Sequence, residues 1–130
     1  MELHVGLRGE ASVKVDESNT AARFGSGSVL VFATPAMIGL MEKAALTSVD
    51  PLLGAGMATV GIGLDIKHLA PTPMGMDVAA VSELIEIDGK RLVFRVEAFD
   101  AKEKIGEGVH QRYIISLAKF MDRVQAKACL

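Results

Sequence analysis

Residues 29–49, VLVFATPAMIGLMEKAALTSV, decide the fold, and within them Glu42 and Lys43 are the only charged side chains. Thr34 followed by Pro35 reads as a helix start, with Thr34 as N-cap and Pro35 at the first helical position. The helix is expected to run to about Val49 and to stop at Asp50-Pro51, because the residue before a proline disfavours helical geometry. Ile38, Leu40, Met41, Ala44, Ala45 and Leu46 spread around much of its cylinder. A helix apolar on so many sides is wrapped by other structure. Glu42 then needs a reason, since a lone buried carboxylate is costly unless it is paired, hydrogen-bonded or protonated. Two readings stand: a carboxylate kept for chemistry, or a helix that turns Glu42 and Lys43 together into water.

On either side of this helix the period is that of strands. Residues 8–15 alternate weakly and suit an edge strand, and Gly25-Ser26-Gly27-Ser28 is a flexible loop able to move over a pocket. After Gly54-Ala55-Gly56, alternation places Val60, Ile62, Leu64, Ile66 and His68 on one face of a strand, with Gly61, Gly63, Asp65 and Lys67 on the other. Pro71 and Pro73 end it. A second strand is expected over 76–87, followed by a hairpin at Asp88-Gly89. The return strand carries Leu92, Phe94, Val96 and Ala98 on one face, and a last strand is expected over 105–117. Strand, long helix, then four antiparallel strands make an α+β layer arrangement in which a curved sheet curls round the helix.

Composition narrows the classes. Of 130 residues, 50% are apolar and 23% charged, with a formal net charge of −2. That excludes a disordered chain and provides no basic footprint for nucleic acid. No repeat or linker divides the chain, so residues 1–130 are read as one domain. Cys129 is the only cysteine, which rules out an internal disulfide framework, and three scattered histidines make no metal site. The start MELHVGLRGE has no apolar core of a leader, and the longest uncharged run, 24–41, is broken by Gly-Ser-Gly-Ser and Thr-Pro, so no membrane span is expected and the cytoplasm is the default.

Three polar residues stand where folding alone would not put them: Thr34 at the helix start, Glu42 two turns further in, and His68 on the apolar face of the strand after the helix. Each has an ordinary reading, as a plain cap, a solvated glutamate and a satisfied core histidine. Taken together they are a carboxylate with two nearby donors, beside the positive end of a helix that favours developing negative charge.

The blocks VFATPAMIGLMEKAA (31–45), TVGIGLDIKHLAPTPMG (59–75), DGKRLVFRVEAFD (88–100) and IGEGVHQRYIISLAKF (105–120) closely resemble hotdog-fold thioesterases of the fluoroacetyl-CoA thioesterase type, over roughly residues 6–127. The resemblance implies a hotdog fold, an antiparallel sheet around a central helix, and a homodimer or dimer-based oligomer with active sites near the subunit interface. It implies hydrolysis of a short acyl-CoA, with coenzyme A entering as part of the substrate and no separate cofactor. The catalytic threonine, glutamate and histidine fall on Thr34, Glu42 and His68, and the substrate-contacting glycine and arginine on Gly61 and Arg112. Arg112 is open to holding a substrate oxygen or to pairing with Glu42 or Asp65, and His110 is read as structural. The family's segment before the helix looks aromatic-rich, whereas here it is Gly25-Ser26-Gly27-Ser28 beside Phe24, which points to a broader or different short acyl group than fluoroacetyl. A non-catalytic acyl-CoA-binding module and a hotdog dehydratase are the rival functions on this fold.

Overall fold

The computed structural model describes residues 2–129. Strands β1 (Arg8–Lys14), β2 (Met57–His68), β3 (Asp77–Asp88), β4 (Arg91–Phe99) and β5 (Lys104–Ser116) form one antiparallel sheet in the order β1-β3-β4-β5-β2. Helices α1 (Ala21–Phe24), α2 (Thr34–Val49) and α3 (Leu117–Ala128) complete it. The sheet curls into a half-barrel around α2, which buries Met37, Leu40, Met41, Ala44, Ala45 and Val49 against it. From the sheet come Leu92, Phe94, Val96 and Ala98, all fully buried, so the expected inward face of β4 is the one observed. Gly9 lets β1 lie close along the helix, since a Cβ there would fall on the Ala44 carbonyl oxygen and 2.8 Å from the Ser48 Cβ.

Four local features differ from the sequence reading, each for a physical reason. Thr34 is not the N-cap. Ala33 occupies that position in extended geometry without a side-chain bond, and Thr34 is the first helical residue. The alternation of β2 is broken by a bulge between Gly61 and Gly63, where an extra residue shifts the faces. Gly61 pairs with the buried Arg112 and His68 with Gly106, so Gly61 and His68 share the inner face that simple alternation divides. The stretch before α2 is partly helical: Thr20 caps α1 by accepting from the Arg23 N–H, and Gly25 ends it at φ 71°. Finally, the chain continues past β5 into α3, capped by Ser116. Its Leu117, Phe120, Met121 and Val124 have helical spacing, but none of its residues is buried in the single chain.

Within the sheet, β2 is the edge strand furthest from β1. Its twelve residues leave one side of the backbone unpaired, and Ile62 and Leu64 are about half exposed, at 52% and 48%. A long, apolar, open edge of this kind invites another strand.

Candidate active site

Because Ala33 takes the cap position, the Thr34 hydroxyl is free of helix capping, and it lies 2.7 Å from His68 Nδ1. His68 is the last residue of β2 and half-buried, while its Nε2 is buried with no partner in hydrogen-bond geometry among the described residues. Burial holds the His68 pKa below the ordinary histidine value, with the Ala70 backbone opposing the shift in part. The ring is therefore mainly neutral at pH 7. If Thr34 donates to Nδ1, Nε2 carries the proton and can donate; if Nδ1–H donates to Thr34, Nε2 is a free base. The pair lines a hollow of about 320 Å³ together with Ala21, Ser26, Phe32 and Leu69.

Glu42 stands at the second group. Lys43 is exposed, but the Glu42 side chain is only 37% exposed and its Oε2 is 4.0 Å from Arg112 Nη1. It is neither fully buried nor turned wholly into water. Gly61 provides the room, for a Cβ at that position would stand 2.9 Å from Glu42 Oε2 and 3.2 Å from His110 Cε1. Arg112 is 5% exposed, and its guanidinium is bound to Thr59 and His110 and faces Glu42, while Asp65 lies exposed on the other side of the sheet. His110 is fully buried, stacked near Phe94, with its pKa lowered chiefly by burial. The structure thus brings Thr34 to His68, and Glu42 to Gly61 and Arg112. Thr59, which accepts from Arg112, and Asp50, which accepts from Thr59, carried no signal in the sequence beyond a threonine beginning an apolar run and an aspartate before a proline.

The two groups do not meet in one chain. Thr34 and Glu42 are two turns apart on α2, about 12 Å along its axis. Gly61 and His68 are six paired positions apart, about 20 Å along β2.

Solved structures resemble this arrangement over nearly its whole length. A fluoroacetyl-CoA thioesterase superposes with a TM-score of 0.91 at 34% identity, covering 98% of each chain. A thioesterase superfamily member from Thermus thermophilus gives 0.90 at 27% identity, over 98% of this chain and 94% of that one. Fold and relatives together define a hotdog-fold acyl-CoA thioesterase. At the level of sequence, the fluoroacetyl-CoA-specific thioesterase family matches residues 15–118, and a fluoroacetyl-CoA thioesterase from Streptantibioticus cattleyicolor is 41% identical over 97 residues, 75% of this chain and 70% of that protein. The chain belongs to the fluoroacetyl-CoA-specific thioesterase family.

Proposed function

We propose that the chain hydrolyses short acyl-CoA thioesters at a site completed by two copies, with Thr34 and His68 of one copy facing Glu42, Gly61 and Arg112 of the other. The observation that carries this reading is the buried, unpartnered His68 Nε2 beside Thr34, a polar atom in want of a ligand. The open edge of β2 supplies the means of assembly. Antiparallel pairing of two β2 strands about an axis at Asp65, three paired positions from both Gly61 and His68 once the bulge is allowed for, sets His68 of each copy opposite Gly61 of the other.

In that site Glu42 either draws the proton from an attacking water or adds to the thioester carbonyl itself, forming an anhydride that water then opens. In both routes a new C–O bond replaces the C–S bond, and the sulfur leaves as a thiolate. His68 orients the attacking water or the Glu42 carboxylate, and only its further donation of a proton to the sulfur is modest, because a thiol of pKa about 8.5 is already a good leaving group. Thr34 holds the ring, and the free N–H groups of the first turn of α2 favour negative charge on the carbonyl oxygen. Residues 1–130 act as one domain, and its place is the cytoplasm, where the exposed Cys129 stays reduced; no helix among the described residues is long and apolar enough to cross a membrane.

Thiol release from a panel of acyl-CoAs of graded length and polarity tests the activity. Glu42→Gln, folded by circular dichroism, should lose about 10²–10⁴-fold in kcat. Near-normal turnover by that variant would remove Glu42 from the reaction. Tight acyl-CoA binding with no thiol release from any substrate would favour the binding-module reading.

A further inference from the structure

Behind Glu42 and Arg112 runs a chain of polar contacts, from Asp50 through Thr59, that has no part yet in substrate binding or proton transfer. Asp50, just past the end of α2, accepts the Thr59 hydroxyl at 2.6 Å and the Thr59 N–H at 3.4 Å. Thr59 in turn accepts from Arg112 twice, through Oγ1 from Nε at 2.7 Å and through its carbonyl from Nη2 at 2.9 Å. On the other edge of the guanidinium, His110 donates Nδ1–H to the Gly63 carbonyl at 2.9 Å, which leaves Nε2 to accept from Arg112 Nη1 at 3.1 Å. Thr59 and Arg112 are 6% and 5% exposed. Gripped on two edges, the guanidinium has little freedom, and Nη1 is the part of it that faces Glu42.

The order of the chain matters. Asp50 carries a charge opposite to that of Arg112, yet one hydroxyl stands between them. Without that hydroxyl Arg112 Nε loses its acceptor and Asp50 its donor, and the guanidinium, left with the Thr59 carbonyl and His110, is free to shift against Glu42. Thr59 is also stiff about χ1, as a β-branched residue in a strand. We propose that Thr59, held by Asp50, is a positioning residue that sets Arg112 against Glu42 and thereby fixes the carboxylate over Gly61. Thr59 affects turnover by this route only if Glu42 carries the reaction, the reading given above.

The test is Thr59→Val, which keeps shape and removes the hydroxyl, compared with Thr59→Ser, which keeps the hydroxyl. A carboxylate displaced by even a fraction of an ångström should lower kcat for the best acyl-CoA by about ten- to 10²-fold while KM changes little. Thr59→Ser should stay close to the parent. In a Glu42→Gln background, Thr59→Val should cost nothing further, because the two residues act through one group. Should Thr59→Val fail to fold, Asp50→Asn replaces it: one of the two oxygens that separately accept the Thr59 hydroxyl and N–H becomes a donating NH2, and kcat should fall with KM held. Full kcat in the hydroxyl-free variant beside an inactive Glu42→Gln overturns the role of Thr59 alone. A loss that adds fully to that of Glu42→Gln also overturns it, since the effect would then be general to the fold. Near-normal turnover in Glu42→Gln overturns the underlying site instead.

Discussion

At the scale of single residues the chemistry turns on what is missing as much as on what is present. Gly61 has no side chain, and the space so left is taken by the Glu42 carboxylate, with Arg112 Nη1 3.6 Å from where a Cβ would stand. Gly61→Ala would put a methyl carbon 2.9 Å from Glu42 Oε2, the flexible end of a side chain. The fold should survive, because Glu42 can rotate away, but the carboxylate leaves its place. The expected result is a thermal midpoint near the parent's and a kcat lower by about ten- to 10²-fold. A folded Gly61→Ala enzyme with full kcat would show that the carboxylate tolerates displacement. Thr34 makes the complementary point. One position of helix register separates a capping hydroxyl from one that reaches His68, and the N-cap taken by Ala33 decides it.

At the scale of elements, α2 and the strand alternation were legible because each rests on a strong periodic signal. The helix ends at Val49, one residue before Asp50-Pro51, and the β4 face of Leu92, Phe94, Val96 and Ala98 is buried as its spacing requires. The bulge in β2 was not legible, since a break in period between Gly61 and Gly63 depends on pairing with β5 over long sequence separation. Because of it, Gly61 and His68 share a face that strict alternation denies them. Helix α3 was missed although Leu117, Phe120, Met121 and Val124 have helical spacing, because the strand signal of β5 runs directly into it. The segment before α2 is mixed: Ser26 and Val31 line the hollow beside His68, Phe32 is buried beneath it, and Phe24 is half exposed at 50%. With a serine where an aromatic lid would pack, discrimination by a single fluorine should be weak, with kcat/KM for fluoroacetyl-CoA and acetyl-CoA agreeing within about tenfold. A preference of several orders of magnitude for fluoroacetyl-CoA would place selectivity in other residues of the pocket.

At the scale of the whole molecule, the two polar groups lie apart in one chain, and the proposed site would bring them together through a second copy. The open β2 edge and the exposed Ile62 and Leu64 give such a copy a surface to pair with. Sedimentation at micromolar concentration should therefore show a dimer or a multiple of one, and an active monomer would contradict it. Complementation is a sharper test, because it asks where each residue acts. His68→Ala and Glu42→Gln should each be inactive as homodimers. Unfolded together and refolded as a mixture, half of the dimers should be mixed, and each mixed dimer holds one site with His68 from one copy and Glu42 from the other. Its second site carries both substitutions. The mixture should then recover about a quarter of the parent's kcat per chain. If Thr34, Glu42 and His68 instead worked within one chain, every site in the mixed dimer would keep one defect and the mixture would stay inactive. The two arrangements thus differ in a yes-or-no readout, which requires only that the variants exchange subunits, as a native gel of tagged and untagged chains verifies.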